Sequence, residues 1–180
     1  MRWTKRQAPQ RKLAKFAALG RITMRVRLYV VGATMQGFIR EGLREYSRRI
    51  AHLCEFELVE VQLKKLKSMP STAEQCNVEG QLLQEALKDE PHVVLLDVGG
   101  KEYSSEELAS LLAKVGVYGG GKIAFVVGGA YGFSPRMRAT YAERISLSRL
   151  TFPHDLVRLL FVEQLYRALS INAGLPYHHG

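Results

Sequence analysis

Two blocks in the last third of the chain combine the residue types that ligands need. Phe125-Val-Val-Gly-Gly-Ala-Tyr-Gly-Phe133 is a short apolar run that ends in Gly128 and Gly129. That pattern suits a buried strand delivering bare backbone to a ligand, because glycine has no Cβ to hold the ligand off. Ile145-Ser-Leu-Ser-Arg-Leu-Thr-Phe-Pro-His154 repeats the scheme with hydroxyls and a Pro-His stop. His154 opens a final helical stretch on which Arg158 lies four residues later, hence on the same face, with Phe161 and Leu165. An imidazole titrates near neutral pH and suits proton transfer, and a planar guanidinium suits oxygen acceptors. A lone His at a helix start is also an ordinary cap or surface group. Glu163 and Arg167, spaced i, i+4, are expected to form an ion pair rather than a catalytic dyad. The tail Pro176-Tyr-His-His179 adds an aromatic ring and two imidazoles, or is simply a frayed end.

The elements that must position these groups can be read from periodicity. Val26 to Gly32 is a β-branched run closed by glycine and predicts a first strand. From Phe38 the apolar positions Ile39, Leu43, Tyr46, Ile50 and Leu53 recur at steps of four and three, which predicts a helix with a mixed-charge outer face. Phe56 to Leu63 alternates for part of its length and predicts a strand, followed by an exposed loop carrying Lys64, Lys65 and Lys67 and by a helix over 72–88. His92 to Val98 is an apolar run between Pro91 and Gly99-Gly100, which predicts a buried parallel strand closed by a glycine turn. Ser104 stands three residues before Glu107 and opens a helix as a capping box. Lys122 to Val127 supplies a further strand into the first glycine block. Strands alternating with helices predict an α/β fold, a mostly parallel sheet with helices on both faces, in one domain. In such sheets ligands gather at the carboxyl ends of the strands, where the Val98-Gly-Gly100 and Gly128-Gly-Ala-Tyr-Gly132 loops fall.

Several chemistries are excluded by the same reading. Gly116-Val-Tyr-Gly-Gly-Gly-Lys122 fits GxxxxGK, but Ile123 replaces the magnesium-binding hydroxyl and the motif precedes a strand instead of following one. No GxGxxG follows the first strand, which argues against a Rossmann dinucleotide site. Cys54 and Cys76 have neither zinc nor disulfide-framework spacing and read as reduced structural thiols. No metal is expected.

The net charge of +9 looks like a nucleic-acid signature until it is located. Eight basic side chains and no acidic one fall in residues 1–25, and the remaining chain balances 18 basic against 17 acidic residues. The folded body is therefore nearly neutral. Residues 1–23 read as a disordered RNA-binding arm, an organellar transit peptide, or the product of an upstream start codon, with Met24 as the start of the domain. No apolar run approaches the length of a membrane span, and a cytoplasmic protein is expected.

The two blocks, taken with Leu156-Val-Arg-Leu-Leu-Phe-Val-Glu-Gln-Leu-Tyr-Arg-Ala168 and the Tyr-His tail, resemble one family closely. It is the SPOUT-superfamily methyltransferases that modify a pseudouridine of bacterial large-subunit ribosomal RNA. The resemblance runs from about Met24 to the C-terminus and is specific from Leu95-Leu-Asp-Val-Gly-Gly-Lys101 onward. It implies a C-terminal trefoil knot, an exception to the rule that chains do not thread themselves. It also implies S-adenosylmethionine as methyl donor, held by Leu96, Gly128, Gly129 and the loop Leu147, Ser148, Arg149, Leu150, Thr151 and Phe152. The catalytic group it implies is His154, Arg158, Tyr177 and His178, with the tail near the active site across a homodimer interface. The implied reaction is methylation of N3 of a pseudouridine in 23S rRNA, with the ribosome as partner. Two alternatives stay open, another RNA such as tRNA and a non-enzymatic ribosome-binding factor with the same fold.

Overall fold

The structure, a computed structural model, describes residues 24–63 and 71–178. The basic leader, the Lys64-Lys65-Lys67 loop and His179 lie outside the described residues. The elements in chain order are β1 (Arg25–Val31), α1 (Gly37–Ala51), β2 (Glu55–Val61), α2 (Thr72–Ala86), β3 (Val93–Glu102), α3 (Ser105–Tyr118), β4 (Lys122–Val127), α4 (Pro135–Thr140), β5 (Arg144–Ser146) and α5 (His154–Ala173). The strands form a five-stranded sheet in the order β2-β1-β4-β3-β5, and every pairing is parallel.

The inner strands are apolar at nearly every position because both faces are covered. On one face Val26, Leu28 and Val30 of β1, Val94 and Leu96 of β3 and Ile123, Phe125 and Val127 of β4 pack against α1, α3 and α5. The alternate residues Tyr29, Val31, Val93, Leu95, Ala124 and Val126 pack against Leu83 of α2, Leu87 just after it and Met137 of α4. The Phe161 ring of α5 sits 4.6 Å from that of Phe125, which fixes the last helix over the strand leading into the first glycine block. β2, at the sheet edge, alternates exposed and half-buried positions except at Leu58 and Val59, which are both half-buried.

The helix starts follow local chemistry. Ser104 accepts from the Glu107 N–H and Glu107 reaches back to the Ser104 N–H, the expected capping box. Ser71 and Glu74 form a second one ahead of α2. Gly116 belongs to α3 and Gly119 caps its end, so the GxxxxGK segment closes a helix instead of opening one.

The third strand departs from expectation. Gly99 and Gly100 do not close a turn; β3 runs through them to Glu102. Ile145 of β5 is registered against both Leu96 and Lys101, so the two halves of β3 bracket the short β5. A Cβ on Gly100 would lie 2.7 Å from Arg144 C and from Ile145 N and C. Glycine is required there because one backbone presses against another, which a reading of local turn propensity does not register. Helix α4, which periodicity did not predict, is held by the Ser134 side chain accepting from Met137 N–H, by Pro135 in the first turn and by the fully buried Met137.

Candidate active site

A pocket of about 370 Å³ opens at the carboxyl ends of β3, β4 and β5. Its size falls in the range of small-molecule sites. Three segments wall it: Leu96, Asp97 and Val98 from β3; Val127 through Phe133 after β4; and Ser146 to Thr151 with Phe152, Arg149 excepted, after β5. His154, Val157 and Arg138 complete the wall. Leu147, Leu150 and Phe152 give it apolar surface, and the glycines keep side chains off their part of the wall.

Each segment is held from behind. Gly128 lies so close to Gly132 that a Cβ would meet the Gly132 carbonyl carbon at 3.0 Å, and Gly129 pairs with Gly132 as an isolated bridge. Behind Gly129 sits the buried carboxylate of Glu79 on α2, and a Cβ there would fall 2.3 Å from Glu79 Oε2. Gln75 donates to Glu79 Oε1 at 2.8 Å. The loop after β5 is braced from inside: Ser146 Oγ donates to Ser148 O at 2.9 Å, and Leu150 N donates to Ser148 Oγ at 3.0 Å. Asp97 is nearly buried and accepts from Gly99 N at 2.8 Å and from Arg138 Nε at 2.7 Å.

At the start of α5 the His154 side chain is 41 % exposed, with its Nε2 3.5 Å from Asp155 Oδ1. Asp155 is buried, takes the Met35 N–H at 3.2 Å through Oδ2 and faces Arg158 Nη2 at 3.2 Å through Oδ1. Arg158 is completely buried. Its Nη1 donates to Thr34 Oγ1 at 2.8 Å and to Gly32 O at 3.2 Å, and its Nη2 donates to Val31 O at 2.7 Å. Burial lowers its pKa and the neighbouring Asp155 opposes that shift. The guanidinium thus satisfies the carbonyls that leave β1 and ties α5 to the sheet.

Such an arrangement offers bare peptide groups, apolar walls and one exposed imidazole at the mouth, with no cluster of three or more metal-binding side chains among the described residues. A family profile described as a predicted SPOUT methyltransferase matches residues 24–178. The chain belongs to the SPOUT methyltransferase family. This methyltransferase is 42% identical over 156 residues to the ribosomal RNA large subunit methyltransferase H of Porphyromonas gingivalis, covering 87% of this chain and 99% of the relative. The protein of the same name from Pediococcus pentosaceus is 39% identical over 158 residues, covering 86% and 99%. The fold is that of a protein assigned to a methylase family from Neisseria gonorrhoeae, with a TM-score of 0.51 at 12% identity, over 82% of this chain and 84% of that one.

Among the residues singled out from the sequence of this SPOUT protein, Leu96, Gly128, Gly129, Leu147, Ser148, Leu150, Thr151, Phe152 and His154 come together around the pocket. Arg149 belongs to the same loop but lies outside the lining, and Arg158 is inside the core. Tyr177 and His178 do not line the pocket of their own chain. The Tyr177 hydroxyl donates to Glu163 Oε1 at 3.1 Å and lies 3.2 Å from the Tyr46 hydroxyl; its ring meets Tyr166 edge-on at 4.7 Å. Burial, followed by the bond to Tyr46, raises its pKa. His178 Nε2 lies 2.7 Å from Glu106 Oε1 at the start of α3, and Glu163 pairs with Arg167. Tyr131 and Ser146 line the pocket from within the two sequence blocks, whereas Arg138 lines it from outside both. The Ser134-Pro135 pair, a helix-start signal, places residue 138 on the first turns of a helix just after the glycine block.

Proposed function

We propose that this chain methylates N3 of a pseudouridine in 23S rRNA, using S-adenosylmethionine, on the assembled large subunit or ribosome in the cytoplasm. The observation that carries the reading is the meeting of Gly128, Gly129 and the Leu147 to Phe152 loop around one pocket. Those residues fit the donor: a planar adenine needs apolar walls, which Leu147, Leu150 and Phe152 provide, and backbone donors and acceptors for its edge, which the glycines leave uncovered. When bound, S-adenosylmethionine supplies a methyl group already activated on a sulfonium, so no metal is required. The large-subunit rRNA substrate is supported by the names of the relatives that match over nearly their whole length.

The chain's own residues then have three tasks. The pocket walls hold the donor against the acceptor, the proximity contribution. His154 at the mouth, or His178, removes the imide proton as the new bond forms. Tyr177 stacks on the acceptor base, as RNA readers commonly use aromatic rings. Arg158 acts as a positioning residue, fixing where the helix that begins at His154 leaves the sheet.

Because Tyr177 and His178 do not line their own chain's pocket, the reading includes a homodimer in which the tail of one subunit completes the other's site. A nearly neutral body also favours pooling the basic surface of two subunits and recognising the ribosome by shape. The same family reading includes a trefoil knot in the C-terminal part. Mass spectrometry of rRNA tests the proposal: a strain lacking this gene should lose one methyl from a 23S pseudouridine. Unchanged rRNA with a methyl missing from tRNA would favour a tRNA substrate instead.

A further inference from the structure

We propose that Arg138 forms the subsite for the carboxylate at the amino-acid end of the methyl donor. This rests on the reading of the pocket as an S-adenosylmethionine site. Among the described residues, Arg138 is the only Arg or Lys in the pocket lining. Its direction is fixed from two sides. Met137, fully buried beside it, locks the short helix α4 to the core, and Asp97 holds Nε at 2.7 Å. Asp97 is itself anchored by the Gly99 N–H, and its side chain is 3% exposed, so the Nε contact is a built one.

With Nε held, the two terminal nitrogens remain. No hydrogen bond among the described residues occupies Nη1 or Nη2, and the side chain keeps 38% of its surface exposed. Nη2 lies 3.6 Å from the place a Cβ on Gly132 would take, and Gly132, with φ of 74°, carries none. A guanidinium tethered at one nitrogen with an uncovered outer edge presents two N–H groups in a plane, the shape that pairs with a carboxylate. The Asp97 charge balances that of Arg138, so the pair adds no net positive charge near a sulfonium. The apolar loop after β5 is then left for the adenine and ribose, and the Asp97-Arg138 corner takes the charged end.

Calorimetry with two ligands tests this without catalysis. S-adenosylhomocysteine carries the amino-acid end and 5′-methylthioadenosine lacks it. In the wild-type protein both should bind. Arg138→Met should weaken S-adenosylhomocysteine about tenfold or more, the size of a lost charge-assisted bond, and leave methylthioadenosine within about twofold. Arg138→Lys should recover part of the loss, since a point charge replaces a fork. Because Arg138→Met leaves Asp97 unpaired, Asp97→Asn combined with Arg138→Met gives a neutral wall and should show the same selective loss. Equal weakening of both ligands in the double variant, or no weakening of either, overturns the subsite while leaving the donor site standing. Failure of both ligands to bind the wild type overturns the donor reading itself.

Discussion

The two ends of the sheet are built on opposite plans. At the start of β1, a buried carboxylate gathers charged and phenolic side chains: Glu90 takes Arg27 Nη1 and the Tyr29 hydroxyl, each at 2.8 Å, with Arg25 at 3.6 Å. Burial alone would raise the Glu90 pKa, but the bonds from Arg27 and Tyr29 hold it below the usual carboxylate range. Tyr29 is pushed up to about 12, first by burial and then by Glu90. At the carboxyl ends of β3, β4 and β5, Gly128, Gly129 and Gly132 carry no side chain, and Leu147, Leu150 and Phe152 stand around an open pocket. One end uses charged side chains to close on itself, and the other leaves out side chains at three glycines and stays open. The first plan should govern stability and the second should govern ligand binding.

The sharpest way to break this contrast is Gly100→Ala. Its Cβ would meet three backbone atoms of Arg144 and Ile145 at 2.7 Å, and backbone cannot step aside as a side chain can. A loss of about 3–5 kcal/mol is expected in urea unfolding, together with loss of donor binding, because β5 carries the ligand loop. Next comes His154→Ala, which should leave the affinity for S-adenosylmethionine within about twofold and slow single-turnover transfer by about a hundredfold or more. Retention of full rate by both His154→Ala and His178→Ala would remove each from the base role.

Gly129→Ala should weaken the donor about tenfold by driving a Cβ into Glu79 Oε2, a contact of 2.3 Å, on the scale of an overpacked site. Glu79→Ala in the same chain should restore part of that affinity, a coupling that a double-mutant cycle reads directly. At the opposite end Glu90→Gln should cost about 1–3 kcal/mol of stability near neutral pH and leave donor affinity unchanged. The sign with pH follows from the lowered Glu90 pKa. Its contribution is present above the ordinary carboxylate range and is lost as pH falls through the folded value, so Glu90→Gln should flatten the acid limb of the stability curve. The smallest effect is expected for Glu45→Gln, which breaks exposed contacts to Arg48 and Arg49 and should leave the thermal melt unchanged.

The strands and the pocket segments were legible because their signals are local. Apolar runs mark β1, β3 and β4, and Gly128-Gly129 and Leu147 to Phe152 are unusual in composition as well as in place. What was not legible depends on distant partners. Gly99-Gly100 reads as a turn until β5, more than forty residues later in the chain, is laid against it. Glu79 reads as an ordinary helix charge between Val78 and Gly80, and only the fold buries it behind Gly129. Helix α4 is too short to show a period. Arg158 was placed correctly on the face of Phe161 and Leu165, but that face turns inward, and periodicity does not say which carbonyls await a buried guanidinium.

The central claim, that the open end of the sheet transfers a methyl group to ribosomal RNA, is tested most directly with purified protein, methyl-labelled S-adenosylmethionine and three acceptors: assembled ribosomes, naked 23S rRNA and tRNA. The account predicts label in 23S rRNA of assembled ribosomes from a strain lacking the gene, on N3 of a single pseudouridine. Label in tRNA alone, or no transfer to any acceptor while the donor binds, would contradict it.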